Sequence, residues 1–286
     1  MDYSFGGPKL LEASRGFPGT ERNMCRWIAY RGKPIALEQY VTAPVHSLIE
    51  QSRRAQESSD SLNGDGFGLG WYGEKREPGV YREIRPAWSD ENLRHLARHI
   101  RSHLFFGHVR ASTGTQITRP NCHPFAYDRW LFMHNGQIGD WSLIRRKVES
   151  LIPDSYYNAR LGTTDSEAVF LAILGAGIDR DVIGATSRTL AVIADIVRSS
   201  GSREPVRFTA ALSDGKRLYA FRFATDDTAT SLYYWDAGDH VVVVSEPLDQ
   251  DRSHWKPVPP GHYIVAGDGP VALRPFPYDA RLAAAE

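Results

Sequence analysis

Segments typical of β-strands lie in both halves of this chain and enclose helical patterns, without the regular strand-helix alternation that builds a parallel sheet. The strand patterns cover residues 27–30, 66–72, 80–84, 104–110 and 130–134, and later 206–213, 216–223, 231–235 and 240–244. Turn signals at Glu77-Pro78-Gly79 and Asp214-Gly215 separate neighbouring strands. This order predicts an α+β fold with separate layers of helices and sheets.

Helices are predicted over residues 89–103, 165–174 and 181–198. The first has apolar residues at helical spacing, namely Leu93, Leu96, Ala97, Ile100 and Leu104. The second opens with Thr164 and has Glu167 three residues later, which is the spacing of a capping box. No internal repeat or linker interrupts the chain after Met24, so we expect a single domain from residue 25 to residue 286.

Charge and composition exclude several classes of partner. The 34 Lys and Arg residues are balanced by 34 Asp and Glu residues, which argues against binding to nucleic acid or to an anionic membrane surface. No run approaches the ~20 apolar residues of a membrane-spanning helix. The two cysteines, Cys25 and Cys122, are too few for a disulfide framework and are expected to be thiols.

Residues 1–24 read as a leader or as a mis-assigned start. They lack the basic beginning and the apolar core of an export signal, so a cytoplasmic location is expected. Met24 is a second possible start, directly before Cys25.

Cys25 has two interpretations. A free cysteine is most often a small buried apolar residue. If Cys25 becomes the first residue of the mature chain, however, its α-amine, with a pKa of about 8, can take the proton of its own thiol. Such a residue supplies both the nucleophile, its thiol, and the general base, its α-amine.

Three further segments carry polar residues of interest: Gly107-His108-Val109-Arg110-Ala111-Ser112-Thr113, His134-Asn135-Gly136, and Gly162-Thr163-Thr164-Asp165-Ser166-Glu167. Singly, none is specific. Arg110 is also compatible with a surface charge at a strand end, Asn135-Gly136 with a plain turn, and Asp165 with the start of a helix.

Together and in this order, with Met24-Cys25-Arg26 and His123-Pro124, these segments resemble the class II glutamine amidotransferases, which are N-terminal nucleophile hydrolases. The resemblance is greatest to a stand-alone subgroup with an N-x-D-G-[FW]-G-x-G-W-Y segment, present here from Asn63 to Tyr72. That subgroup includes the γ-glutamyl-cleaving enzyme of ergothioneine synthesis. The resemblance implies a four-layer αββα sandwich.

The resemblance also implies a role for each motif. Cys25 is expected to attack the amide carbon, while the Asn135 side chain and the Gly136 N–H stabilise the oxyanion from an Asn-Gly turn. Arg110 is expected to bind the α-carboxylate of the substrate, and Asp165 its α-ammonium. The remaining candidates for the substrate site are His108, Ser112, Thr113, His123, Asp65 and Gly66.

The sequence argues against two other types of site, a phosphate loop and a metal site. The run with Gly64, Gly66, Gly68 and Gly70 lacks the spacing of a phosphate loop, and alternate glycines in a strand indicate close backbone approach. His95, His99 and His103 recur every fourth residue on the predicted helix, a spacing that suits a metal, but they sit among arginines as on a solvated surface. No metal or cofactor is therefore expected. Cys122 is interpreted as a bystander thiol near the site.

The sequence thus predicts an amidohydrolase that releases glutamate and ammonia or an amine. No synthase segment follows within the chain to use ammonia, so a separate acceptor protein is a possible partner. Two alternatives stay open: a non-catalytic binding protein with an unprocessed N-terminus, and a metal-binding protein that uses the helix histidines. The first alternative follows from the leader, since a chain that keeps peptide ahead of Cys25 lacks the free amine.

Overall fold

The computed structural model describes residues 24–57, 62–112 and 114–278. The strands are β1 Arg26–Ala36, β2 Phe67–Trp71, β3 Gly79–Glu83, β4 Arg101–Val109, β5 Phe125–Tyr127, β6 Trp130–Ile138, β7 Val206–Ser213, β8 Leu218–Ala224, β9 Tyr233–Asp236, β10 Val241–Val244, β11 Lys256–Pro257, β12 His262–Ala266 and β13 Ala272–Pro275. The helices are α1 Glu38–Val41, α2 Leu48–Arg53, α3 Glu91–His99, α4 Trp141–Glu149, α5 Asp154–Tyr157, α6 Asp165–Gly175 and α7 Val182–Ser199. Short 3₁₀ turns occur at Ala87–Ser89 and Arg119–Asn121.

The strands form two antiparallel sheets. One has seven strands in the order β11-β9-β10-β1-β4-β2-β3, and the other has six in the order β13-β12-β8-β7-β6-β5. Helices α1, α2 and α3 cover the outer face of the seven-stranded sheet, and α4, α6 and α7 cover the outer face of the six-stranded sheet. The predicted α+β class and four-layer αββα sandwich are therefore confirmed.

Side-chain alternation along the central strands supplies the three apolar layers. On β1, Ile28 and Tyr30 pack under the helices while Trp27 and Ala29 point between the sheets, as the two-residue period of a strand requires. On β6, Phe132 packs against α6, whereas Leu131 and Met133 join the layer between the sheets. The residues that continue these inward-facing rows are therefore directed into the space between the sheets.

One predicted helix extends into a segment that forms a strand in the structure. The helix expected over residues 89–103 ends at His99, and β4 begins at Arg101. The apolar residues Ile100 and Leu104 fit a helical period, but a fully buried strand has the same kind of apolar run, with Leu104, Phe105 and Phe106 all buried. His103 consequently lies in a strand, where its Nε2 is 2.9 Å from the Gly215 carbonyl oxygen.

Other predictions agree with the structure. Helices α6 and α7 and strands β2, β3 and β7 lie within one or two residues of the predicted bounds. Thr164 caps α6 by accepting a hydrogen bond from the Glu167 N–H, but the Glu167 carboxylate binds Arg160 instead of completing the capping box. None of the helices in the described part of the chain is both long enough and apolar enough to cross a membrane.

Candidate active site

Cys25 lies directly ahead of β1, at the end of the strand that sits between β10 and β4. Its sulfur accepts a hydrogen bond from the Ala111 N–H at 3.4 Å and lies 3.5 Å from the Ala111 carbonyl oxygen. Arg26 is paired with Val109 across β1 and β4, which brings Cys25 beside the segment that follows β4. The Met-Cys-Arg and Gly-His-Val-Arg motifs are thus neighbours in space.

The electrostatic setting of Cys25 combines burial with nearby cations. Burial raises the pKa of the Cys25 thiol, the Ala111 N–H and the charges of Arg110 and Arg26 act to lower it, and Asp165 acts to raise it. In the described chain Cys25 is linked to Met24 by a peptide bond. Its thiol therefore has no α-amine to receive its proton, and the balance of these effects keeps it protonated.

Arg110 is a buried guanidinium, only 3% exposed, without a carboxylate partner among residues 24–57, 62–112 and 114–278. Its Nη2 donates to Ser112 Oγ at 3.2 Å and to Thr115 Oγ1 at 2.5 Å, and its Nη1 donates to the Asp65 carbonyl oxygen at 3.4 Å. Asp65 in turn accepts from the Ser112 N–H at 2.7 Å. A buried charge held only by neutral groups is suited to bind an external anion.

Asp165 begins α6 and connects that helix to β6. One carboxylate oxygen accepts from the Ile138 N–H at 2.9 Å, and the other accepts from the Ser166 N–H at 2.7 Å. His134 Nδ1 also lies 2.9 Å from Ser166 Oγ. Like Arg110, Asp165 forms no ion pair within the described residues, and its negative charge acts to raise the pKa of the Cys25 thiol.

Asn135 and Gly136 lie inside β6, paired with Thr209 and Phe208 of β7. The Asn-Gly turn expected at this position is therefore wrong, because the hairpin-like dipeptide is held flat by its neighbouring strand. Asn135 continues the inward-facing row of Leu131 and Met133, and its buried Nδ2 has no hydrogen-bond partner in the part of the chain that the structure describes. A Cβ on Gly136 would lie 2.1 Å from the Arg207 carbonyl oxygen, so glycine is required by close packing.

His108 and His123 lie between the sheets close to Asn135. Their rings stack with centroids 4.2 Å apart, and His108 Nε2 is 3.4 Å from the carbonyl oxygen of His134. Burial lowers the pKa of His108 to about 3 and lowers that of His123 well below its ordinary value. Both rings are therefore neutral at pH 7, and His108 Nδ1 and both nitrogens of His123 have no hydrogen-bond partner among the described residues.

The glycine-rich strand β2 packs against the segment around Cys122. A Cβ on Gly68 would lie 2.2 Å from the His123 carbonyl oxygen, and one on Gly66 would lie 2.6 Å from Cys122 Sγ. Gly66 also has a φ of +110°, which side-chain-bearing residues rarely adopt. The close backbone approach predicted for these glycines is confirmed. Burial raises the pKa of Cys122 to about 11, so this thiol is unreactive at neutral pH.

Three residues of this region were not predicted from the sequence to belong to the site. Arg26 and Glu246 form a buried ion pair beside the nucleophile, with Nε and Oε2 2.9 Å apart. Asn121 joins two loops of the site, since its side chain accepts from the Thr163 N–H at 2.7 Å and donates to the Gln116 carbonyl oxygen at 2.8 Å. A charged residue two positions after a run of four valines was the only sequence signal for Glu246. Thr113, expected in the site, lies outside the described residues.

No group of three or more metal-ligating side chains is placed to hold an ion in the part of the chain that the structure describes. His95 and His99 are exposed on α3 while His103 belongs to β4, so the three do not form one helical stripe. The helical stripe of three histidines, on which the metal-binding alternative depended, is therefore wrong. Two surface clefts, of about 470 and 300 Å³, lie where β6 begins and β7 turns into β8, and neither includes any expected site residue.

The fold and these residues define an N-terminal nucleophile type of amidohydrolase. The family model of the class II glutamine amidotransferases matches residues 39–234. The chain belongs to the class II glutamine amidotransferases and is an enzyme. The family resemblance drawn from the motifs is thereby confirmed.

Two curated relatives match most of the chain. The probable glutamine amidotransferase DUG3 of Saccharomyces cerevisiae is 32% identical over 304 residues, which cover 88% of this chain and 84% of the relative. The gamma-glutamyl-hercynylcysteine sulfoxide hydrolase of Mycolicibacterium smegmatis is 31% identical over 256 residues, which cover 88% of this chain and 100% of the relative.

Solved structures share the fold. A glutamine aminotransferase class-II domain protein from Silicibacter pomeroyi is 38% identical, with a TM-score of 0.72 over 88% of this chain and 99% of its own. The glutamine phosphoribosylpyrophosphate amidotransferase of B. subtilis is 14% identical, with a TM-score of 0.61 over 89% of this chain and 50% of its own. The second likeness is one of fold alone.

Proposed function

We propose that this enzyme hydrolyses the γ-amide of glutamine or of a γ-glutamyl compound, with Cys25 as the nucleophile once it is the first residue of the chain. The observation that carries the proposal is a pair of opposite charges next to one thiol. Arg110 and Asp165 both lack an ion-pair partner within the described residues. Their charges act on the pKa of the Cys25 thiol, which Arg110 lowers and Asp165 raises.

These two charges suit the head group of an α-amino acid. The planar guanidinium of Arg110 binds the α-carboxylate, and the Asp165 carboxylate accepts from the α-ammonium. Ser112 and Asp65 keep Arg110 and its loop in place through the hydrogen bonds described above. Gly66, His108, His123 and Thr113 complete the proposed substrate site, with the γ-amide directed at the sulfur.

The reaction then runs through a thioester. The Cys25 thiol gives its proton to its own α-amine and attacks the amide carbon, which forms a tetrahedral intermediate with a negative oxygen. The intermediate collapses when the proton passes to the leaving nitrogen, and ammonia or an amine departs. A water molecule then attacks the thioester, which releases glutamate and restores the thiol.

Asn135 is the proposed donor to the tetrahedral oxygen, together with the Gly136 N–H. A donor that is buried and unpartnered in the resting protein is available when the negative charge develops, and it needs no rearrangement at that moment. Both residues are part of β6 and are paired with β7, so the two donors lie in a strand and not in a flexible turn.

The group on the γ-nitrogen decides what the enzyme does in the cell. The names of two relatives describe one glutamine amidotransferase and one hydrolase of a γ-glutamyl compound, and the head-group site proposed here suits both chemistries. We propose a γ-glutamyl amide as substrate, with release of ammonia to a separate synthase as the alternative outcome. A cytoplasmic location, the removal of residues 1–24 and a single domain over residues 25–286 belong to the same proposal.

The test determines both the N-terminal residue of the purified protein and its rate of glutamate release. The intact mass and the N-terminal sequence of the purified protein show whether Cys25 is the first residue. Glutamate release is then measured from glutamine and from γ-glutamyl amides, for the wild type and for Cys25→Ala. We expect release only from the protein that begins at Cys25. Equal release by Cys25→Ala, or turnover by a chain that retains residues ahead of Cys25, refutes the proposal. Binding without turnover supports the non-catalytic alternative.

A further inference from the structure

The residue after the nucleophile is part of a buried ion pair. Arg26 is 1% exposed and Glu246 is 0% exposed, although 220 residues separate them in the sequence. The Arg26 Nε donates to Glu246 Oε2 at 2.9 Å, and its Nη1 donates to the Cys25 carbonyl oxygen at 3.0 Å and to the Met24 carbonyl oxygen at 3.1 Å. The guanidinium therefore connects the main chain of the nucleophile to a carboxylate from the last third of the protein.

The carboxylate itself is held from several sides. Glu246 Oε1 accepts from the Gln56 N–H at 2.8 Å and is hydrogen-bonded to His46, and Oε2 accepts from the Glu57 N–H at 3.1 Å. Burial acts to raise the pKa of Glu246, but His46, Arg26 and these two N–H groups lower it to about 2. Glu246 is consequently ionised at every pH at which the enzyme is expected to work, and its position is fixed.

A buried ion pair contributes little to stability compared with apolar residues of the same size, because both ions must leave water. Stability alone therefore does not explain why the Arg26–Glu246 pair lies in the protein interior. We infer that Arg26 and Glu246 are positioning residues for the nucleophile: the guanidinium fixes the Cys25 carbonyl and sets a positive charge beside its reactive groups, and the carboxylate holds the guanidinium there.

The charge has a direct consequence for the proton transfer, and this step rests on the proposed function. An α-amine on Cys25 would be close to Arg26 and Arg110, whose charges disfavour the protonated amine, while Asp165 favours it. The ionised Glu246 offsets part of the Arg26 charge, but the guanidinium, which donates to the Cys25 carbonyl oxygen, is the nearer of the two charges, so the pair favours the neutral amine that accepts the thiol proton. The Arg26 Nη2 has no partner among residues 24–57, 62–112 and 114–278, which leaves this nitrogen able to contribute a further hydrogen bond at the site.

The experiment compares Arg26→Met, Arg26→Lys and Glu246→Gln with a matched control on the same strand. Arg31→Met removes an arginine of β1 whose ion pair with Asp268 lies at the surface, away from Cys25. For each variant, expressed as the full chain and shown by intact mass to begin at Cys25, we measure kcat and KM for glutamate release and the pH dependence of Cys25 alkylation by iodoacetamide, located by mass spectrometry.

We expect Arg26→Met to lower kcat on the order of 100-fold, the typical effect of a misplaced reacting group, with KM changed by less than about threefold. Its alkylation profile is expected to move to higher pH. Arg26→Lys retains the charge without the forked geometry, so it should restore the alkylation profile more than kcat. Arg31→Met should leave both properties unchanged.

An unshifted alkylation profile in Arg26→Met, or a rise in KM at constant kcat, overturns the inference. Thermal unfolding is recorded for each variant. If Arg26→Met does not fold, the decision passes to Arg26→Lys and Glu246→Gln, for which wild-type kcat overturns the inference. Glutamate release by Cys25→Ala would instead refute the proposed function, so the two failures are distinguishable.

Discussion

Asn135 offers a test in which activity and stability are expected to separate. The side chain is buried, and its Nδ2 makes no hydrogen bond to any described residue. If this group stabilises the oxyanion, Asn135→Ala should lower kcat by about 100- to 1,000-fold, or about 3–4 kcal/mol of transition-state stabilisation, with little change in KM. The folded state loses no Nδ2 hydrogen bond. An unpartnered buried donor costs about 1–3 kcal/mol, and relief of that cost offsets the lost packing, so we expect unfolding free energy within about 1 kcal/mol of wild type.

Asn121→Ala is the matched control. Asn121 is also fully buried, but its side chain bonds to the Gln116 carbonyl, to the Thr163 hydroxyl and to the Thr163 N–H. Its removal should cost about 2–4 kcal/mol, since hydrogen bonds are lost and the Thr163 N–H is left without its partner. Urea unfolding and steady-state glutamate release are measured for both variants. A fall in kcat of less than about threefold in Asn135→Ala, or a loss of stability equal to that of Asn121→Ala, would contradict the reasoning.

Three more outcomes are expected. Arg110→Lys should raise KM for glutamine at least about tenfold, because an ammonium cannot bind a carboxylate with two parallel hydrogen bonds, and an unchanged KM would exclude the proposed head-group contact. Gly68→Ala should destabilise the fold by more than about 2 kcal/mol in urea unfolding, because its Cβ would lie 2.2 Å from the His123 carbonyl oxygen and 2.9 Å from the Tyr81 carbonyl oxygen; wild-type stability would argue against this packing. The folded pKa of Glu246 lies below its unfolded value, so its stabilising contribution is present above about pH 4.5 and lost as the pH falls towards 2. The difference in unfolding free energy between wild type and Glu246→Gln should therefore shrink over that range, and a constant difference would show that the carboxylate charge does not matter.

The fold class was accessible from the sequence because most of its strands have a clear apolar pattern. The prediction went wrong where a buried strand and a helix share the same apolar spacing, as at Ile100 and Leu104. Helix α4 was missed because Leu143, which is 74% exposed, interrupts the stripe formed by Ile144 and Val148. The final hairpin of β12 and β13 was also missed, although glycines flank the short apolar run of β12.

The candidate site was accessible only in part. Cys25, Arg110, Asn135 and Asp165 could be named because each lies in a short motif of the family. The location of Asn135 within a strand could not be read from the dipeptide, because the pairing that flattens it comes from β7. The Arg26–Glu246 pair was inaccessible for a related reason: contacts between residues so far apart in sequence are set by sheet order and leave no local pattern.

The strand that carries the nucleophile lies in the middle of its sheet, between β4 and β10. Strand β4 is synthesised early on the ribosome. Strand β10 is synthesised near the end, and Glu246 follows it two residues later. Until that late segment emerges, Arg26 has no carboxylate, and burying it alone would cost several kcal/mol. A nascent or truncated chain therefore cannot assemble its reactive end, so unfinished copies should be unable to consume the cell's glutamine.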